Sequence, residues 1–139
     1  MKGNKGEWSE LYTLFKLAAD GRLYAADAET NKIDTIYYDI LKIIRSQKDD
    51  NWQYIRNGSL KVIAESTGEE VATIPISEFE ENAELLLSSI KAVKSKDGSF
   101  EVPDIESFIS KIKCSTTKAK SLDKSDITLM VHDIKTGSD

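Results

Sequence analysis

The sequence is poor in the residues on which many metal, redox and membrane proteins depend: it has one cysteine, one histidine and no long hydrophobic run. Cys114 on its own cannot form an intrachain disulfide, which suits the reducing environment of the cytoplasm. His132 is the single histidine, which excludes a zinc site built from several histidines. No apolar run approaches the roughly 20 residues of a transmembrane helix, and the N-terminus has no signal-peptide core. We therefore expect a cytoplasmic protein.

The sequence also lacks a glycine-rich loop and a net positive charge, which excludes further kinds of functional site. Gly58 and Gly68 fall in predicted turns, so the chain has no glycine-rich phosphate-binding loop. The formal net charge of -5 gives no overall positive field for nucleic acid, although it leaves room for a local basic surface. The chain has 139 residues, 40% hydrophobic and 31% charged, which is the size and composition of one globular domain. The side chains left to carry chemistry are carboxylates, and four stand out by their positions: Glu7, Glu10, Asp126 and Asp133.

The first predicted element is an amphipathic helix over residues 7–20. Its apolar side chains recur at intervals of three and four residues: Trp8, Leu11, Tyr12, Phe15, Ala18 and Ala19. Asn4 is placed to cap the helix together with Glu7, in a variant of the capping box, and Gly21 is free to adopt the left-handed conformation that ends it. Glu7 and Glu10 then lie on one face of a single helical turn.

Strands are predicted in the next part of the chain. Residues 35–45 are rich in isoleucine and tyrosine and favour a strand, although their apolar spacing also fits a helix. Residues 52–56 and 60–65 form two strands joined by Asn57 and Gly58, a strong hairpin signal. Residues 71–76 form a further strand, which Pro75 assigns to a sheet edge or a bulge.

Two helices and a last strand complete the pattern. A capping box of Ser77 and Glu80 begins a helix that runs to about residue 94, and Pro103 suits the first position of another. A polar linker over residues 113–124 leads to a largely buried strand over residues 125–133, with a carboxylate at each end. This order predicts a single α+β (mixed α/β) domain with an antiparallel-rich sheet flanked by helices. Because a buried strand needs neighbours on both sides, we expect the chain to be the front part of a longer protein.

Three stretches resemble the HpaII-type restriction endonucleases. The opening KGNKGEWSELY (residues 2–12), with LYAAD (residues 23–27) behind it, is similar to the N-terminus of that family. The ending, SDI (residues 125–127) through HDIKTG (residues 132–137), and the TIPI strand that runs into a helix are also similar. The family implies a type II endonuclease that cleaves double-stranded DNA at a short GC-rich palindrome, CCGG for its namesake. It also implies a PD-(D/E)XK site, in which a strand aspartate, a second acid and a lysine on the next strand organise Mg²⁺ and a water.

The resemblance assigns roles to individual residues. Asp126 matches the aspartate of the motif strand and is the expected metal ligand, and Glu7 or Glu10 matches the helical acid. The lysine strand is expected after Gly137 and is absent, so we expect this chain to be inactive alone. The resemblance further implies a cognate DNA methyltransferase as functional partner and is compatible with a homodimer. Five lysines are the candidates for contacts with DNA phosphates: Lys2, Lys5, Lys118, Lys120 and Lys124.

Each of these residues also has an ordinary structural interpretation. Asp126 could begin a strand and accept a turn hydrogen bond, Glu7 could be only a cap, and exposed lysines are usually solvated. Trp52 and Tyr54 favour a core position over a base-stacking platform. Arg45 and Arg56 could pair with guanine edges but are predicted to lie on the surface. The alternative function is therefore a non-enzymatic α+β module that binds protein or DNA.

Overall fold

The computed structural model describes residues 1–26, 29, 32–47, 49–93, 98–114 and 127–136, and of these it gives the backbone alone at 23–26, 32–36, 38 and 127–136. These residues form a six-stranded antiparallel sheet with three α-helices, so the predicted α+β class is confirmed. None of the helices in the described ranges combines the length and the apolar character that a membrane span requires.

The first helix, α1 (Lys5–Asp20), begins two residues before the predicted start at residue 7, and its Asn4 cap and its end at residue 20 are as predicted. Asn4 Oδ1 accepts a hydrogen bond from the Glu7 backbone N–H at 2.9 Å, and Glu7 Oε1 accepts one from the Asn4 N–H at 2.9 Å. This capping box satisfies two amides that the first helical turn leaves without partners. Gly21 ends the helix with φ 68° and donates its N–H to the Leu17 carbonyl at 2.9 Å.

The sheet is built around one long strand, β2. Its strands are β1 (Arg22–Ala26), β2 (Lys32–Ser46), β3 (Asn51–Arg56), β4 (Leu60–Ala64), β5 (Glu69–Ile74) and β6 (Ile127–Thr136). Strand β1 pairs with positions 32–39 of β2, β3 with positions 42–46 and β6 with positions 36–45. A strand has only two edges. The positions of β2 that pair with β6 overlap those that pair with β1 and also those that pair with β3. Strands β1 and β3 therefore share one edge of β2, and β6 occupies the opposite edge.

The predicted strands and turns are largely confirmed. The residues 35–45 form part of β2, so the helical alternative for this stretch is wrong. The turn that joins β3 to β4 contains Asn57 and Gly58, and Gly58 has φ 75°. Pro75 directly follows β5, which pairs only with β4 among the described strands and is therefore an edge, as predicted.

The second helix, α2 (Ile76–Ala92), starts differently from its prediction. Pro75 occupies the cap position, and no side chain makes a capping hydrogen bond, so the predicted capping box of Ser77 and Glu80 is wrong. The helix begins one residue before Ser77, which places that serine inside the first turn rather than at the cap. Pro103 opens a short 3-10 turn (Pro103–Ile105) that continues into α3 (Glu106–Lys111), as its position predicted.

The three helices cover one face of the sheet and share one core. Phe15 of α1, Phe79 of α2 and Phe108 of α3 meet edge to face, with ring centroids 4.9–6.2 Å apart. Burial alternates along β3 and β4, so every second residue of these strands enters the same core. This aromatic contact fixes how α1 lies against α2 and α3, and α1 carries two of the candidate acidic residues.

Candidate functional site

The predicted site lies where β6 begins. Asp126 lies outside the described residues, as do Lys118, Lys120 and Lys124. Ile127, the first residue of β6, is paired with Arg45 near the end of β2. The prediction of a sheet strand in this part of the chain is confirmed, and the strand extends to Thr136, beyond the predicted end at residue 133.

Glu7 and Glu10 lie on the edge of α1 that points away from α2. Four α1 residues line the groove shared with α2: Tyr12, Lys16, Ala19 and Asp20. At about 100° per residue, Glu7 and Glu10 fall on the opposite side of the helix, beside Leu14. The two carboxylates differ in structural role, because Glu7 closes the capping box while Glu10 is half-buried and takes no part in it. The ordinary interpretation of Glu7 as a cap is therefore confirmed, and a catalytic role for either acid stays a prediction.

The two N-terminal lysines have different surroundings. Lys5 Nζ donates a hydrogen bond of 3.3 Å to the carbonyl of Val93, the residue at the C-terminal end of α2. A cation at this end of a helix is favourable, because the last carbonyls carry partial negative charge. Lys2 is exposed. A role of either lysine in DNA binding stays a prediction.

The sequence interpretation missed a buried polar pair at the end of β2. Arg45 and Gln47 are each only 2% exposed, so the prediction that Arg45 lies on the surface is wrong. The physical reason is strand alternation: Ile43, Arg45 and Gln47 all point to the helix-covered face of the sheet. An isoleucine two residues before the arginine was the available signal. Arg45 Nη1 donates a hydrogen bond to Gln47 Oε1, which provides the guanidinium with a buried polar neighbour.

Gln47 extends this pair into a network. Its Nε2 donates to the carbonyl of Lys113 at 3.0 Å and to Asp49 Oδ1 at 3.3 Å. The Asp49 carboxylate also accepts from Trp52 Nε1 at 3.3 Å. The network therefore joins the end of β2 and the start of β3 to the chain that leaves α3.

Trp52 and Tyr54 are core residues, as predicted. Tyr54 is fully buried, and its hydroxyl donates to the carbonyl of Ile112 at 3.0 Å. Burial raises the pKa of the Tyr54 hydroxyl, with a smaller contribution from Cys114. The phenol therefore stays protonated and remains a donor throughout the physiological range.

Arg56 is half-buried, which corrects the prediction of an open surface position. Its Nε donates to the Ala18 carbonyl at 3.1 Å and its Nη2 to the Ala19 carbonyl at 3.3 Å. These are carbonyls in the last turn of α1, where a cation compensates the helix dipole. Arg56 has a structural role that accounts for its position on β3.

Within the described residues, no group of three or more histidine, cysteine, aspartate or glutamate side chains is arranged to hold a metal ion. The candidates named above, Glu7, Glu10 and Asp126, are all carboxylates, and carboxylate oxygens are ligands that Mg²⁺ accepts. The chemistry of the candidate ligands therefore suits Mg²⁺.

Comparisons with known proteins identify relatives of this chain. The sequence model of the HpaII restriction endonuclease family matches residues 4–139. The type II restriction enzyme HpaII of Haemophilus parainfluenzae is 44% identical over 135 residues, which are 97% of this chain and 37% of that enzyme. The chain thus spans little more than a third of the length of that relative. No solved structure matches the chain. Since the family match covers nearly every residue, the chain belongs to the HpaII restriction endonuclease family.

Proposed function

We propose that this chain forms part of a type II site-specific deoxyribonuclease that hydrolyses phosphodiester bonds of double-stranded DNA at a short GC-rich palindrome resembling CCGG. The observation that carries this proposal is the family match over residues 4–139. The 44% identical relative is named as a type II restriction enzyme, which supports the reaction class. A palindromic site has twofold symmetry, so we also propose a homodimer that presents one catalytic site to each strand.

The acidic residues receive distinct roles in this proposal. Asp126, the residue before β6 in the sequence, is the metal ligand. Glu10 is the helical acid in preference to Glu7, since Glu7 already holds the amide of Asn4 at the start of α1. When bound, Mg²⁺ would supply an activated water and positive charge at the scissile phosphate.

The proposed site needs one more residue than this sequence provides. A PD-(D/E)XK site uses a lysine on the strand that follows the motif strand, where it stabilises charge on the attacked phosphoryl group. No lysine follows Gly137 among the 139 residues of this sequence. The chain spans 37% of the length of its HpaII relative, and we propose that it is part of a larger enzyme and does not cleave DNA alone.

DNA binding is assigned to the basic residues at the two ends of the chain. We propose phosphate contacts for Lys2, Lys5, Lys118, Lys120 and Lys124, in a protein whose total charge of -5 opposes DNA binding elsewhere. For Lys5 such a contact would compete with its hydrogen bond to Val93 at the end of α2. We place the protein in the cytoplasm, beside a methyltransferase that protects the host copies of the same DNA site.

The test uses the longest form of the protein that its gene encodes. Plasmid DNA with mapped CCGG sites is incubated with this protein in the presence and absence of Mg²⁺. We expect a discrete set of fragments that requires Mg²⁺ and disappears when the sites are methylated. Fragments that form equally well without a divalent metal would contradict the metal assignment, and the absence of any site-specific fragments would contradict the proposed reaction.

A further inference from the structure

The two faces of the sheet differ in burial. Residues directly opposite each other on antiparallel strands share a face, and the row of Ile43, Tyr54 and Val62 is almost fully buried under the helices. The alternate rows lie on the other face of the sheet. Their six residues, which we call the open face, are all half-buried: Lys42, Ile55 and Lys61 in one row, and Ile44, Gln53 and Ile63 in the next. Solvent therefore reaches the side of the sheet that the helices do not cover.

Two lysines make the open face locally basic. Lys42 and Lys61 both pair with Ile55, from opposite sides, so two strand spacings, about 10 Å, separate their backbones. The other four residues of the open face are uncharged, and Glu70 of β5, which pairs with Ile63, is an acid at its border. Among the described residues, neither lysine ammonium has an ion pair or a hydrogen bond. Both cations are therefore available to an anionic partner.

Acidic residues are concentrated on the opposite side of the molecule. Helix α2 contains four glutamates and one lysine, and its Glu80, Glu81 and Glu84 are exposed. On the sheet, the Asp39 carboxylate is already paired with Arg22 Nε at 3.9 Å. A polyanion is therefore repelled by the helical layer and attracted to the open face, even though the whole chain has a formal charge of -5.

The composition of the open face favours nucleic acid over protein as its partner. Lysine is depleted at the centre of protein–protein interfaces, because burying an ammonium group without a counter-charge is unfavourable. Lys42 and Lys61 flank the central Ile55, so a protein that covered this isoleucine would also bury both cations. DNA phosphates instead supply the opposite charge, and binding to them releases condensed counterions.

We propose that the open face is a surface for the backbone of duplex DNA, with Lys42 and Lys61 as phosphate contacts. This inference rests on the proposed function, which makes duplex DNA the substrate, and it adds two contacts in the sheet to the lysines assigned near the ends of the chain. Strands of β-sheet DNA-binding proteins lie along a DNA groove, so a sheet is a suitable element for such contacts. Phosphate contacts hold the protein in register on the duplex without reading its sequence.

The first experiment measures DNA binding by the longest form that the gene encodes. Lys42→Ala, Lys61→Ala and the double variant each remove positive charge from the open face. Lys91→Ala is the matched control, because this exposed lysine lies on α2, on the acidic side of the molecule. Mobility shifts at several salt concentrations are recorded in chelator, which keeps the DNA intact, with one duplex that contains CCGG and one that lacks it.

We expect each single open-face variant to reduce the magnitude of the slope of log K against log salt concentration by about 0.9, and the double variant by about 1.8. The reduction should be the same on both duplexes, since a phosphate contact does not read bases. Lys91→Ala should keep the parental slope. Parental slopes in both Lys42→Ala and Lys61→Ala would overturn the proposal.

The second experiment determines what covers the open face. Ile55→Cys places a thiol between the two lysines, and Leu85→Cys places one on α2, where the native side chain is 42% exposed. The native Cys114 is buried. We expect maleimide to modify both introduced thiols in free protein, and duplex DNA to slow the reaction at position 55 alone. A thiol at position 55 that is unreactive without DNA would show that protein covers this face, and one that reacts equally with and without DNA would exclude the duplex; either result overturns the proposal.

The outcomes separate this inference from the proposed function. A parent that neither binds nor cleaves duplex DNA overturns both. If the parent cleaves DNA at CCGG sites but the open-face variants keep its salt dependence, only the open-face contact is overturned. Should Lys42→Ala fail to fold, as judged by circular dichroism, Lys42→Gln and Lys61→Ala decide the question, since Lys42→Gln removes the charge and retains most of the side chain.

Discussion

Arg56 lies directly over Gly21, at the point where α1 ends and β1 begins. A Cβ atom added to Gly21 would lie 2.3 Å from Arg56 Cζ, and the glycine has φ 68°. Gly21 thus meets two requirements at once: a left-handed backbone and space for a guanidinium that binds the last turn of α1. The junction between the helix and the sheet depends on this close approach.

Gly21→Ala should destabilise the protein more than the same change at a left-handed glycine in open space. Gly58 is the matched control, with φ 75° and no atom within 4 Å of an added Cβ. We expect Gly58→Ala to cost roughly 1–2 kcal/mol, and Gly21→Ala about 2–4 kcal/mol because Arg56 must also move. Urea unfolding of both variants measures the difference. In an Arg56→Met background the two costs should become equal, and a difference that persists there would contradict the explanation.

The aromatic contact between the three helices should dominate the stability of the core. Phe79→Ala removes a fully buried ring that contacts both Phe15 and Phe108, and should cost about 3–5 kcal/mol. Leu85→Ala on the same helix is the control, because this side chain is 42% exposed and should cost less than about 0.5 kcal/mol. Thermal and denaturant unfolding followed by circular dichroism would measure both. Equal losses would show that α2 does not pack through Phe79.

The turn that precedes β3 should weaken in acid. A hydrogen bond from the Ser66 hydroxyl, with further bonds from the Ser66 and Asn51 amides, lowers the pKa of Asp50. Because the pKa of Asp50 is lower in the folded than in the unfolded state, its contribution to stability is present above the unfolded value. That contribution is lost as the pH falls through the folded value.

Ser66→Ala should therefore raise the pKa of Asp50 towards its ordinary value and reduce stability above about pH 4 more than below it. Carboxyl titration by NMR measures the pKa, and unfolding at several pH values measures the stability. Ser89→Ala is the control, since that hydroxyl bonds only a carbonyl of its own helix. An unchanged Asp50 titration in Ser66→Ala would show that the hydroxyl is not its main partner.

Substitutions of the two acids on α1, Glu7 and Glu10, should have different effects on DNA cleavage. We expect Glu10→Gln to reduce Mg²⁺-dependent cleavage by the longest natural form by more than the roughly 10–100-fold typical of residues that only support a metal ligand. Glu7→Gln retains an oxygen that can accept from Asn4, so it should keep the cap and most of the activity. Cleavage rates at saturating Mg²⁺ decide between the two. A reversed order would assign the helical acid to Glu7.

Salt dependence should reveal which lysines contact DNA. Lys2→Ala should reduce the slope of log K against log salt concentration by about 0.9, the value for one phosphate contact with duplex DNA. Lys111→Ala is the control, because Lys111 is paired with Glu78 at 2.7 Å and is not a candidate DNA contact. Mobility shifts at several salt concentrations give both slopes. A Lys2 variant with the parental slope would remove this residue from the interface.

Sequence patterns predicted local structure well and long-range relationships poorly. The extent of α1 follows from its apolar period, from the Asn4 cap and from the glycine at its end, all of which are local. The start of α2 was predicted wrongly because Ser77 has the right chemistry for a cap while Pro75 already occupies that position. Strand β1 gave no clear signal, since its five residues include two alanines and it is ordered by pairing with β2.

At the candidate site, too, local features could be predicted from the sequence and long-range contacts could not. Glu7 could be identified as a cap from a spacing of three residues. Gln47 could not be identified as a buried link, since its partner Lys113 is 66 residues away in the sequence. Side chains alternate between the two faces of a strand, so counting from Ile43 could have predicted that Arg45 is buried. The partner that stabilises the buried charge becomes evident only in the folded chain.

Strands β1 and β3 pair with one edge of β2 and β6 pairs with the other, and this arrangement has a consequence for folding. Strands β3, β4 and β5 pair with their neighbours in sequence, whereas β6 must close a long loop before it reaches β2. During synthesis, one edge of the longest strand therefore stays open until residues 127–136 have left the ribosome. An open strand edge is a site for pairing with other chains, so the chain is most prone to aggregation in the time before β6 arrives.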